Sequence, residues 1–237
     1  MSLFKRKLSA HTLHRWLMLL LALPITIWAL TGSYFVLVDL GFIRSDHIKP
    51  EQVGYLLAGE LAYPISKVYQ RYPNAETISL KALVNRHYYQ VNSRDETLLI
   101  DASNGKALSQ LSEQHAISIA QRFVHQQSIP TTAKILQVGL ITQDPPTELA
   151  KRHLPVWRVD FDDSASATLY ISAQSGEVVT RRHDYWRLFD LFWKWHIMDY
   201  DDGEAIDNKL LLITALISIV AVFAGLLLVW QRRRRYL

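Results

Sequence analysis

Three histidines carry most of the chemistry this sequence can offer. His11 and His14 stand one helical turn apart and are followed at once by Arg15, and His196 closes the aromatic run Trp193-Lys-Trp-His196. An imidazole can ligate a metal, move a proton or hold haem iron through a ring nitrogen. The other usual actors are missing. The chain has no cysteine, which excludes disulfides, thiolate zinc sites, iron–sulfur clusters, a CxxCH haem attachment and a cysteine nucleophile. It has no GxSxG, HExxH, P-loop or GxGxxG motif. Asp162-Asp163 falls in an expected turn, where solvation explains the pair better than acid–base catalysis. The run Asp199-Tyr-Asp-Asp-Gly203-Glu204 is not an EF-hand loop, because its glycine comes one position too early and no glutamate closes it. It reads as a polar cap ahead of a helix, with Asp207 or Asn208 as the N-cap. His47, His87, His115, His125, His153 and His183 are expected in loops or at polar helix positions on the surface.

The elements that must position the three histidines are two apolar spans. Trp16 to Val38 is 23 residues without a charge, and Leu210 to Trp230 is 21 more. At about 1.5 Å per residue, each crosses the roughly 30 Å hydrocarbon core of a bilayer. Pro24 is tolerated inside a membrane helix, and Gly32, Ser33, Ala221, Ala224 and Gly225 allow close helix approach. The first span is too long for an ordinary signal-peptide core, and no A-x-A site follows it, so it reads as a retained helix.

His11 and His14 then lie at one membrane edge and His196 at the other, where neutral imidazoles commonly ligate haem b. Geometry limits that reading. The second span contains no histidine. Positions 14 and 38 are about 36 Å apart along a helix, so His14 and His196 cannot share one haem. A symmetric dimer would supply a facing pair at each level, with Arg15 available to a propionate. The simpler alternative places His11 and His14 with Arg15 in a basic flank, and His196 in an interfacial belt with Trp186, Trp193, Trp195 and Tyr200.

Charge fixes the expected topology. The formal net charge is +4, yet eight of the 26 basic residues (Lys5, Arg6, Lys7, Arg15 and Arg232 to Arg235) lie at the two tips. The body between residues 39 and 209 keeps 18 basic residues against all 22 acidic ones, a net −4. Basic tips around an acidic body are topology signals and not a nucleic-acid surface. The expectation is a bacterial inner-membrane protein embedded in the lipid bilayer. Its segments 1–15 and 231–237 are cytoplasmic, 16–38 and 210–230 are transmembrane, and 39–209 is periplasmic.

The body carries an internal repetition. Leu98-Leu-Ile-Asp-Ala-Ser-Asn-Gly-Lys106 parallels Leu169-Tyr-Ile-Ser-Ala-Gln-Ser-Gly-Glu177 at an offset of 71 residues. Each copy reads as an alternating strand, a polar turn, a second strand, and a turn ending in Gly105 or Gly176, which is expected to take a positive φ. Leu61, Ile65, Val68, Tyr69 and Tyr72 predict a helix ahead of the first copy. Ala116, Ile119, Ala120 and Phe123, with Ser112 as N-cap, predict one ahead of the second. The fold class is α+β, with each helix on one face of a small antiparallel meander. Repeat 1 spans about 60–110 and repeat 2 about 111–182, followed by an interfacial aromatic segment at 185–200.

This unit, with its D-A-x-x-G-K and S-A-x-x-G-E turns, resembles the PepSY domain. His14-Arg-Trp-Leu17 with Ala29-Leu-Thr-Gly32, and the stretch from Trp186 to Tyr200, resemble segments of PepSY-associated membrane proteins. The resemblance implies a choice of roles: peptidase inhibition or extracytoplasmic regulation for free PepSY modules, and iron uptake or ferric-siderophore reduction, with haem in some cases, for membrane-anchored relatives. The sequence reading favours an accessory, non-catalytic module working through a protein partner or as a homo-oligomer. A haem b electron-transfer subunit and a peptidase-inhibitory module are its alternatives.

Overall fold

The computed structural model describes residues 9–44, 48–50, 61–84, 86–94, 96–125, 133–201 and 203–234. The side chains of 48–50 and 123–125 are outside the description, as are Lys5, Arg6, Lys7, His47 and Arg235. The chain divides into two compact units, Leu40–Arg187 and the two chain ends, up to Asp39 and from Leu188 onward.

In the unit of the chain ends, helix α1 (Ala10–Leu37) packs against helix α6 (Lys209–Arg234). Ser9 caps α1 by accepting from the Thr12 amide at 3.2 Å. Asn208 caps α6 by accepting from the Leu211 amide at 2.9 Å, as its residue type predicts. Both helices are long and apolar enough to span a membrane, and little of either is buried within the protein. Leu23, Val36, Phe223 and Val229 point outward from them. That pattern suits lipid and would be costly in water.

Between Asp199 and α6, the Asp199 carboxylate accepts the amides of Asp201, Gly203 and Ala205. The acidic run is therefore a self-capped turn whose buried carboxylate is already occupied by amides.

The other unit is α+β. Its first sheet is an antiparallel meander of β2 (Thr77–Leu83), β3 (Arg86–Asn92), β4 (Thr97–Asp101) and β5 (Ala107–Leu108). The second is a meander of β7 (Lys134–Ile141), β8 (Val156–Asp162), β9 (Thr168–Ser172) and β10 (Val178–Arg182). A short helix α2 (Leu40–Ile43) opens the unit, and β1 (Ile48–Pro50) pairs with β6 (Phe123–His125).

Helix α3 (Ile65–Arg71) buries Val68 against Tyr89, Val91, Ile100 and Ala102 of the first meander. It is shorter than its apolar spacing predicts: Pro64 delays its start, and Ile65 and Tyr69 face outward. Helix α4 (Glu113–Gln121) buries Ala116, Ile119 and Ala120 in a core with Val159, Phe161, Leu169 and Ile171. Its Ser112 cap is reinforced by His115, whose Nδ1 lies 2.7 Å from Ser112 Oγ. Phe123 falls beyond the helix, in β6.

Gly105 (φ 75°) and Gly176 (φ 71°) both adopt the left-handed conformation. Asn104 Oδ1 holds the first turn through the Lys106 amide at 2.8 Å. At Gly105 a Cβ would collide with the Tyr63 ring, so both conformation and contact require glycine there.

Candidate functional site

His14 is half-buried on α1, and its Nδ1 lies 2.9 Å from the backbone oxygen of Ala221 on α6. A carbonyl can only accept, so Nδ1 carries the proton. In the neutral ring Nε2 is then a bare lone pair. Gly225 makes room for the ring, since a Cβ there would sit 3.1 Å from His14 Cε1.

His196 repeats the arrangement on α5 (Asp184–Ile197), whose C-terminal half belongs to the unit of the chain ends. Its Nδ1 lies 2.8 Å from the Thr31 hydroxyl of α1. Thr31 is buried and donates its single proton to the Ile27 carbonyl at 2.7 Å. The hydroxyl therefore accepts from His196, and Nδ1 is again protonated. Gly32 lies beside the ring, Phe35 meets it edge-on at 5.4 Å, and Trp28 Nε1 donates to the His196 backbone oxygen at 2.7 Å.

Anchoring of one ring nitrogen by an oxygen acceptor is the usual way a metal-ligating histidine is oriented, with the other nitrogen left to bind. No hydrogen-bond partner of Nε2 occurs at either residue among the described residues. The donor chemistry would fit one haem-ligating imidazole at each level. It does not supply two per level from one chain, because α6 holds no histidine. His196 meets Thr31 and not the end of α1, so the two levels are about 26 Å apart along that helix, still too far for one haem. Among the described residues no group of three His, Asp or Glu side chains is placed to hold a metal ion.

The remaining expected site residues are distributed differently. His11 and Arg15 are exposed and, with His14, Met18 and Leu19, line an open groove of about 370 Å³ on α1. Trp193 turns inward: its Nε1 donates to the Gly203 backbone oxygen at 3.0 Å and its ring stacks beside Phe189. Trp195 and Tyr200 are exposed. Trp186 lies under the Arg182 guanidinium at 4.3 Å.

Two further arrangements in Leu40–Arg187 escaped the sequence reading. The first centres on Glu148, which is bound by Arg187 (Nε to Oε2 2.9 Å, Nη2 to Oε1 3.1 Å) and accepts from the Tyr170 hydroxyl at 2.6 Å. Burial works to raise the Glu148 pKa, but the bonds from Arg187 and Tyr170 outweigh it and hold the carboxyl below the usual carboxylate range. Tyr170 is pushed up, first by burial and then by Glu148.

The second is His183, fully buried and not on the surface as its polar neighbours suggested. Its Nε2 donates to the Phe42 oxygen at 2.9 Å, and its Nδ1 accepts from the Trp186 amide at 3.3 Å, capping α5. Burial holds it below the ordinary imidazole pKa. His87 is also buried, on β3.

Residues 110–182 match the PepSY family model, described as a peptidase propeptide and YPEB domain. The match takes in α4 and the whole second meander. No curated protein and no solved structure matches the chain.

Proposed function

We propose that this membrane-anchored PepSY-domain protein binds haem b between two copies of itself and carries electrons across the membrane. The observation that carries the reading is the pair of anchored imidazoles. His14 and His196 each surrender Nδ1–H to an oxygen on a neighbouring helix and keep Nε2 as a lone pair. A two-fold axis along the membrane normal would place each histidine opposite its equivalent in the second copy, so that two imidazoles would be available to hold haem at each level. Arg15, which lines the same groove as His14, would be available to a propionate. Bound haem supplies a one-electron couple. The chain's own residues set the orientation of the two imidazoles. Basic tips at both ends support an orientation with both termini in the cytoplasm and the PepSY domain in the periplasm. The first meander runs in the same strand order as the second, which supports reading it as another PepSY-like copy.

The test is haem titration of the full-length protein with His14→Ala, His196→Ala and the double variant. Each single variant is expected to halve the haem bound per chain, and the double variant to abolish it. Full haem loading in the double variant would reject both ligands.

A second reading, the accessory interaction module, is favoured by β7. Among the described residues β7 pairs only with β8, and it exposes Leu136 and Leu140. An exposed apolar edge strand suits addition of an extended segment of a partner protein. A photo-crosslinker at position 136 should give a discrete adduct in cells that Leu140→Lys removes. Failure to form that adduct would retire this reading.

A further inference from the structure

A groove of about 620 Å³ lies between the start of α1 and the end of α6, lined by Ser9, Ala10 and His11 on one helix and Leu228, Val229, Gln231 and Arg232 on the other. Its floor is apolar, and its rim, one turn further along α6, is cationic and polar. The basic side chains at this end have no acidic side chain beside them in sequence. No Asp or Glu occurs before Asp39 or after Asp207, yet Arg15, Arg232, Arg233 and Arg234 all lie in these terminal segments. Arg234 is committed to the face of Trp230 at 3.8 Å, whereas Arg232 lines the groove and forms no ion pair within the described residues. A guanidinium and an imidazole above an aliphatic floor match a phosphate ester joined to a hydrocarbon tail. Basic pockets between membrane helices are suited to anionic headgroups, and each arginine near an anionic surface adds to the attraction.

We infer that this groove is a binding site for one anionic phospholipid. Its phosphate sits against Arg232 and His11, and its glycerol and upper acyl chain lie along Leu228 and Val229. The site is independent of haem, since it uses neither His14 nor His196.

The test is native mass spectrometry of the full-length protein in detergent, delipidated and then given phosphatidylglycerol or phosphatidylcholine of identical acyl chains. A single phosphatidylglycerol adduct is expected, with phosphatidylcholine bound far less. Arg232→Gln should lower its occupancy about fivefold. Arg233→Gln, which removes the same charge outside the groove, should leave occupancy nearly unchanged. Leu228→Trp, which alters no charge and fills the floor, should also remove the adduct. Equal retention of both lipids, equal losses from Arg232→Gln and Arg233→Gln, or displacement by excess inorganic phosphate would each overturn the site.

Discussion

His14 on α1 rests against Gly225 on α6, with 3.1 Å between its Cε1 and the place a Cβ would take. Glycine here is a condition of the imidazole's position, because any larger residue must move the ring or part the helices. Gly225→Ala needs a shift of a few tenths of an ångström, and Gly225→Leu cannot be absorbed that way. The leucine variant is expected to displace His14 from the Ala221 oxygen and to lose haem at that level alone, leaving the His196 level loaded. Pyridine haemochrome quantification should fall by about half, and an unchanged value would separate Gly225 from the ligand's placement.

Thr31 does for His196 what the Ala221 carbonyl does for His14. Thr31→Val removes the acceptor and leaves a part-buried N–H without that partner. Side-chain hydrogen bonds within membranes contribute about 0.6 kcal/mol on average, so amide exchange in residues 188–197 should quicken by roughly threefold. Thr31→Ser restores the acceptor and should restore protection. Hydrogen-exchange mass spectrometry reads both, and identical protection in all three proteins would contradict the bond's role.

Arg187 and Glu148 join the first turn of α5 to the loop after β7. Removing the cation by Arg187→Met leaves Glu148 charged and largely out of water. A fully buried orphan charge costs about 3–5 kcal/mol; a third of the Arg187 side chain still meets solvent, so about 2 kcal/mol is expected. Opening of β9 should become about 30-fold easier by amide exchange. Adding Glu148→Gln should recover most of the loss, and a double variant as weak as the single would contradict a charge-based clamp.

His183 is expected to make the unit Leu40–Arg187 sensitive to mild acid. Its neutral ring donates from Nε2 to Phe42 and accepts at Nδ1 from Trp186, so a second proton sets two donors face to face. Asp163, from the turn after β8, and Asp184 and Arg187, on α5, are the charged groups around it. Burial holds the folded pKa below the ordinary value of 6.5. Above pH 6.5 the contribution is complete. As the pH falls through 6.5, the unfolded chain takes up a proton that the folded chain refuses, so stability drops until the lower folded value is reached. The slope cannot exceed about 1.4 kcal/mol per pH unit for one group. The depressed Glu148 adds its own loss only below its ordinary 4.5. His183→Asn keeps a capping acceptor without titrating and should flatten the stability profile between pH 6.5 and 4.5. Parallel profiles for the two proteins would assign the acid response elsewhere.

Composition alone made the two spans legible, because twenty uncharged residues have few other uses. The hairpin glycines were legible as well, since Asn104-Gly105 and Ser175-Gly176 have the chemistry of their turns. The partners of the histidines were not. Thr31 and His196 are 165 residues apart and His183 and Phe42 are 141 apart, and no local pattern encodes either meeting. The inward turn of Trp193 and the outward turn of Tyr69 depend in the same way on tertiary neighbours. Periodicity gives the face of a helix but not what covers it.

Haem ligation by His14 and His196 is tested directly by one absorption experiment. Full-length protein purified in mild detergent, supplied with haem and reduced with dithionite, should give a Soret band with sharp reduced α and β bands, which His14→Ala with His196→Ala removes. A spectrum that stays featureless after haem is added would contradict the electron-transfer account and leave the anchored imidazoles as ties between helices.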